Sequence, residues 1–191
     1  MLYLESRLPL SKQEEEVRDA MVYLFNPALK FILLSQGYDK FKLYGFNSCR
    51  QTAILGAGYL RKLLPDYTIH VYEGLFKEDI EYYHAFITAE KNGRELIIDL
   101  SRTTKKLLFD EIYPNIYPLH DDYKDVRLIS KIEYNLDDML NTDEPEFLTG
   151  YKPKEFMKML ECFIEEIKLL SKDQQLAFCD KIYSQTTLLR R

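Results

Sequence analysis

The sequence predicts an α+β fold in which one buried helix packs on a small antiparallel sheet, with further helices before and after. Three patterns predict it. Apolar residues recur at helical spacing near both ends of the chain and again after Cys49. The stretches between Tyr67 and Leu100 alternate with a period of two, as half-buried strands do. Asn92-Gly93 joins two of those stretches, and Asn-Gly is the strongest short signal for a hairpin. A chain of 191 residues can bury a core of its own, so we expect a single domain over 1–191. Its parts are N-terminal helices over 1–38, a core over 39–136 and a C-terminal helical segment over 150–191.

Taken in order, Leu10 to Leu24 reads as a helix. Ser11 caps it, Gln13, Glu14, Glu15 and Glu16 fill the first turn, and Val17, Ala20, Met21 and Leu24 form the apolar face. Asn26-Pro27 is expected to break it, with Pro27 suited to the first turn of a second helix over Ala28–Ser35. Gln36-Gly37-Tyr38 ends that helix, and a loop from Asp39 to Gly45 leads to the next. Ser48 and Gln51 have the spacing of a capping box, with Asn47 as a second possible cap. The helix after them carries Ala53, Ala57, Leu60 and Leu64 on one side and should stop at Pro65.

Tyr67–Gly74 reads as a strand and Leu75–Glu81 as a charged connection. Tyr82–Glu90 and Arg94–Leu100 read as the two arms of the hairpin. Thr104–Phe109 reads as a short helix, and Pro114 and Pro118 bracket a turn-rich passage to Asp122. Asp125–Tyr134 has the β-branched residues of a strand. Asp137–Glu146 reads as an exposed acidic loop. Pro153–Leu170 is a helix with Phe156, Met159, Leu160, Phe163, Ile167 and Leu170 on its apolar side. Ser171 and Gln174 box the start of a last helix, on which Leu176, Cys179, Ile182 and Tyr183 form one stripe.

Cys49 stands at the start of the buried helix, where unpaired N–H groups and the helix dipole favour thiolate, the nucleophilic form. A two-residue turn at Asn92-Gly93 sets Lys91 opposite Arg94. The same register sets Thr88 opposite Ile97, Phe86 opposite Asp99 and His84 opposite Ser101. Facing residues share a sheet face, so His84 and Asp99 become diagonal neighbours about 7–8 Å apart at the backbone, within reach of their side chains. A carboxylate beside an imidazole fixes the ring's tautomer and stabilises the imidazolium, leaving the other nitrogen to move a proton. A thiolate facing that ring completes the ion pair of a cysteine nucleophile.

The pieces Asn-Ser-Cys49, His84-Ala-Phe and Ile-Ile-Asp99, in that order and on helix, strand and strand, resemble the core of the transglutaminase-like and papain-like cysteine superfamily. The likeness covers about Gly45 to Ser101. It implies Cys49 as nucleophile, His84 as general base and acid, and Asp99 as the residue that orients the ring. Arg50 and Phe86 stand where many relatives carry Trp, and Leu100 where many have Pro. The Arg-Gly-Gly-x-Cys signature of arylamine acetyltransferases is absent, so acyl donor and acceptor stay open. An oxyanion would take the Cys49 N–H and one side chain, with Tyr44 and Asn47 as the candidates.

The expected activity is that of a thiol hydrolase or acyltransferase on peptide or amide bonds: a peptidase, a deamidase or a transglutaminase-like enzyme. The alternative is an inactive module of the same fold that holds a protein partner. A protein or peptide substrate is expected in the first case. No cofactor is expected, and no metal, because Cys49, His70, His84 and Asp99 lack paired-ligand spacing. His70 reads as half-buried or surface, His120 as exposed beside Asp121 and Asp122, and Cys162 and Cys179 as core fillers. A net charge of −5 argues against general nucleic-acid binding. No apolar run approaches the roughly 20 residues of a membrane span. The opening residues lack the pattern of a signal peptide, and three scattered cysteines do not make a disulfide framework. A cytoplasmic setting is therefore expected.

Overall fold

The computed structural model describes residues 10–37, 49–77, 81–100, 115–118, 127–143 and 151–186. The fold is α+β. In chain order the elements are α1 (Lys12–Ala20), a π-helical turn (Met21–Phe25), α2 (Asn26–Ser35), α3 (Cys49–Leu63), β1 (Thr68–Lys77), β2 (Glu81–Lys91), β3 (Arg94–Asp99), β4 (Asn115–Pro118), β5 (Arg127–Tyr134), α4 (Leu136–Asn141), α5 (Pro153–Lys168) and α6 (Lys172–Thr186). The five strands form one sheet in the order β4-β3-β2-β1-β5, with every neighbouring pair antiparallel.

The Ser11 box closes as its sequence requires. The Glu14 N–H donates to Ser11 Oγ, and Glu14 Oε2 accepts from the Ser11 N–H at 2.6 Å. Glu14 is also buried, so its charge needs partners. It accepts from Tyr67 Oη at 3.2 Å and from Arg94 Nη2 at 2.9 Å, which ties α1 to the start of β3. Asn26-Pro27 does not break the chain's helical course. The π-helical turn widens the helix over Met21–Phe25, and Pro27 lies at the start of α2, where its missing N–H costs nothing. Gly37 ends this pair of helices at φ +78.

Helix α3 is the centre of the molecule. Ala53, Ile54, Leu55, Ala57, Tyr59 and Leu60 are all buried, so the helix is apolar on more than one side, as a helix covered on both faces must be. One side meets Ile69 and Val71 of β1, Ala85, Ile87 and Ala89 of β2, and Leu96 and Ile98 of β3, all in the same core. The other side meets helices: Phe25 stacks on Tyr59 at 5.5 Å, and Lys62 reaches Glu161 of α5 at 2.6 Å. Gly56 is where helix and sheet come closest. A Cβ there would overlap Leu100 Cδ1 and lie 3.1 Å from Ile87 Cδ1.

The hairpin register is the one the turn dictates. Lys91 pairs with Arg94, Thr88 with Ile97 and Ile87 with Ile98, with Asn92 at φ 54 and Gly93 at φ 78. Four further expectations change. Leu75–Lys77 and Glu81 are not a connection but the ends of β1 and β2, whose pairing continues through Phe76↔Tyr82 to Lys77↔Glu81. Residues 115–118 of the turn-rich passage form edge strand β4, paired to β3. The acidic stretch after Tyr134 begins as helix α4. Asn135 Oδ1 caps the Asp137 and Asp138 N–H groups, both acids sit at the positive end of the dipole, and Leu136 is buried. The C-terminal apolar stripe is also narrower than its spacing implies. Cys179, Ile182 and Tyr183 are buried, whereas Leu176 and Cys162 are exposed. Ser171 and Gln174 make their capping box as expected. The Thr104–Phe109 helix, Ser48 and His120 lie outside the described residues. No helix among the described residues is long and apolar enough to cross a membrane.

Candidate active site

The site lies where the end of the β2–β3 pairing meets α3. The β2–β3 ladder ends at Ile87↔Ile98, and α3 begins at Cys49. The start of α3 meets β2 beyond that last pair. The Ala85 N–H donates to the Cys49 sulfur, and so does the N–H of Arg50 in the helix's own first turn. A sulfur that accepts two backbone N–H groups is stabilised as thiolate.

His84 and Asp99 lie on the sheet as the register predicts, and they touch. Nε2 of His84 is 2.8 Å from Oδ2 of Asp99, with the two side chains only 7% and 3% exposed. This leaves Nδ1 for the other neighbour, and His84 is hydrogen-bonded to Cys49. Burial alone would push the His84 pKa down, but the Asp99 charge and hydrogen bond, followed by Cys49, raise it from 6.5 to about 9. Burial alone would push the Cys49 thiol up. The His84 hydrogen bond, the Ala85 N–H and the His84 charge together bring it below its ordinary value. The two shifts have the directions of a thiolate–imidazolium pair.

The structure therefore brings together Cys49, His84 and Asp99. Tyr44 and Asn47 lie outside the described residues. The expected Ser48–Gln51 box likewise falls outside the described residues, with Ser48. His70 points elsewhere: it is half-buried, with Nδ1 2.6 Å from Glu133 Oε1 on β5. Among the described residues no group of three His, Cys, Asp or Glu could hold a metal ion. Cys179 Sγ donates to the Tyr23 carbonyl at 3.1 Å, and burial pushes its pKa up to about 11, which makes it an inert thiol.

One group beside the site carries no sequence signal. Arg50, the residue after Cys49, makes a forked contact with Glu73 of β1. Nη2 is 3.0 Å from Oε1 and 2.7 Å from Oε2, and Nε is 3.2 Å from Oε2. Tyr134 of β5 donates to the same carboxylate, and its ring lies 5.5 Å below the guanidinium. A pairing across 23 positions leaves no local pattern to read.

No family model, curated protein or solved structure matches the chain.

Proposed function

We propose that the chain is a cysteine-dependent hydrolase or acyltransferase of the transglutaminase-like and papain-like kind, acting on peptide or amide bonds through a thioester at Cys49. The observation that carries the proposal is the buried Asp99–His84 contact with the Cys49 sulfur on the ring's other side. Each residue has a step. The thiolate of Cys49 attacks the carbonyl carbon and forms the C–S bond. The oxygen of the tetrahedral intermediate takes the charge, which first-turn N–H groups of α3 can stabilise. The His84 imidazolium gives its proton to the leaving nitrogen as the C–N bond breaks, which leaves a thioester and a neutral ring. The ring then takes a proton from water or an amine, whose attack on the thioester returns the thiolate. Asp99 holds the ring's tautomer throughout. Water as acceptor gives hydrolysis, and an amine gives transamidation.

Alkylation by iodoacetamide, followed site by site by mass spectrometry from pH 5 to 9, tests the ion pair. Cys49 is expected to react ahead of exposed Cys162 at pH 6, with its rate already on a plateau below the ordinary thiol value of about 8.5. His84→Ala removes the advantage. The thioester step is tested with p-nitrophenyl acetate, which is expected to give a burst of p-nitrophenol and an acetyl group on Cys49. An ordinary titration curve for Cys49 would refute the ion pair. A perturbed thiol that forms no acyl adduct would favour the binding-module reading.

A further inference from the structure

We infer that Arg50, Glu73 and Tyr134 form a clamp that sets the position of the Cys49 sulfur against His84. Its relevance to catalysis rests on the function proposed above; its effect on the thiol does not. Helix α3 has to present Cys49 at a fixed depth, because the sulfur must reach both the His84 ring and the Ala85 N–H. The neighbouring backbone supplies one of the two ties needed. Ala85 pairs directly with Glu73 across the β2–β1 ladder, and Glu73 pairs with Ile132 on β5. The Glu73 side chain supplies the second. It leaves that same rung and takes the fork of Arg50, the residue bonded to Cys49 in the chain. The rung that carries one donor to the sulfur thus also grips the start of the helix that carries the sulfur.

Three features suit this group to positioning. A guanidinium fork on a carboxylate fixes orientation as well as distance, which a lysine cannot do. The carboxylate is itself braced by Tyr134, whose hydroxyl donates to Glu73 and whose ring lies under Arg50. Glu73 is also the enclosed member, with a side chain 17% exposed against 49% for Arg50, so the anchor is on the sheet and the arm on the helix. Neither charge is among the causes that shift the Cys49 thiol. The clamp acts on the sulfur through geometry, by keeping it on His84. Arg50, Glu73 and Tyr134 are positioning residues.

The test is the pH profile of Cys49 alkylation by iodoacetamide in Glu73→Gln, Arg50→Ala, Arg50→Lys and the Arg50→Ala/Glu73→Gln double variant. Exposed Cys162 is followed in the same samples, and urea unfolding is run alongside. A misplacement on the order of 1 Å is enough to cost roughly a hundredfold in a positioned reaction. We expect each single variant to slow Cys49 at pH 6 by about tenfold or more and to move the midpoint toward that of an ordinary thiol. Cys162 should be unaffected. Arg50→Lys should fail to rescue, and the double variant should be no slower than the singles, because both break one contact. If the wild-type thiol is perturbed and the variants keep its profile, the clamp is overturned and the proposed chemistry stands. Additive losses in the double variant, or losses that follow the unfolded fraction, also overturn it. An ordinary wild-type titration overturns the clamp and the ion pair together. A clamp-dependent profile in a protein that never forms an acyl adduct supports the clamp and refutes only the enzyme.

Discussion

Replacing Asp99 by Asn in a Cys49→Ser background isolates the buried ring from the thiol's own titration. Native packing holds the His84 pKa at about 9 against 6.5 for the ordinary side chain, with the Asp99 charge and hydrogen bond opposing burial. That span is about 2.5 pH units, each worth about 1.4 kcal/mol, and part of it comes from Cys49, so in the Cys49→Ser background the charged ring favours the folded state by about 2–3 kcal/mol. The sign follows from linkage. A pKa raised by folding adds stability that is fully present below 6.5 and is lost as pH rises through about 9. Asn keeps the shape of the acceptor but removes the charge, and burial then holds the ring neutral. Urea unfolding at pH 6 and pH 9.5 gives the stability cost of Asp99→Asn at each. We expect a cost of about 2–3 kcal/mol at pH 6 and under about 1 kcal/mol at pH 9.5. Other titrating groups cancel, because both proteins carry them. Equal costs at the two pH values would show that Asp99 does not hold a charged His84, and the reasoning behind the site would be refuted.

Glu14→Ala should cost about 2–3 kcal/mol in urea unfolding, because it removes the buried acceptor of Ser11, Tyr67 and Arg94 together. Thiol chemistry at Cys49 should be unchanged, since Glu14 is not among the groups acting on it. Gly56→Ala forces a methyl onto Leu100 Cδ1, at about 1–3 kcal/mol for overpacking, against about 1 kcal/mol gained in helix propensity. A net loss of about 1 kcal/mol is expected, turning to a gain of similar size in a Leu100→Ala background; the same loss in both backgrounds would contradict the close approach.

What was legible in the sequence was whatever short-range chemistry decides. Ser11 and Glu14 sit three apart and cap each other, as do Ser171 and Gln174. Asn92-Gly93 can adopt two successive positive φ values, and that alone set the register that placed His84 diagonal to Asp99. What was not legible depends on tertiary partners. Leu75 and Glu81 look like a charged connection until β2 is there to pair with β1. Residues 115–118 are a strand only because β3 offers an edge. Leu136 drives a helix in an acidic stretch because it has a core to enter. Cys162 falls on a helical apolar spacing, but the helix turns that position outward. Arg50 and Glu73 carry no mutual signal at all.

The position of the site follows from the same distinction. A continuous β2–β3 ladder would engage the N–H groups on that edge of β2, and a helix packed flat on the sheet would meet only side chains. Here the ladder stops after Ile87 among the described residues, and a backbone donor two residues on is directed to a sulfur. The helix meets that part of β2 with its Cys49 end, and the Arg50 N–H is a second donor to the sulfur. Two backbone N–H groups, one from β2 and one from α3, therefore converge on the Cys49 sulfur. Asp99, at the end of β3, supplies the charge and hydrogen bond that, with Cys49, hold His84 protonated in so enclosed a place. A small core thiol would need none of this, since an apolar pocket suffices, as Cys179 shows with its single carbonyl partner and raised pKa. Burying an imidazole and a carboxylate beside a thiol is costly unless their charges are used. The two buried cysteines thus sit in opposed surroundings, one drawn toward thiolate and the other held from it, which is the contrast the proposed chemistry requires.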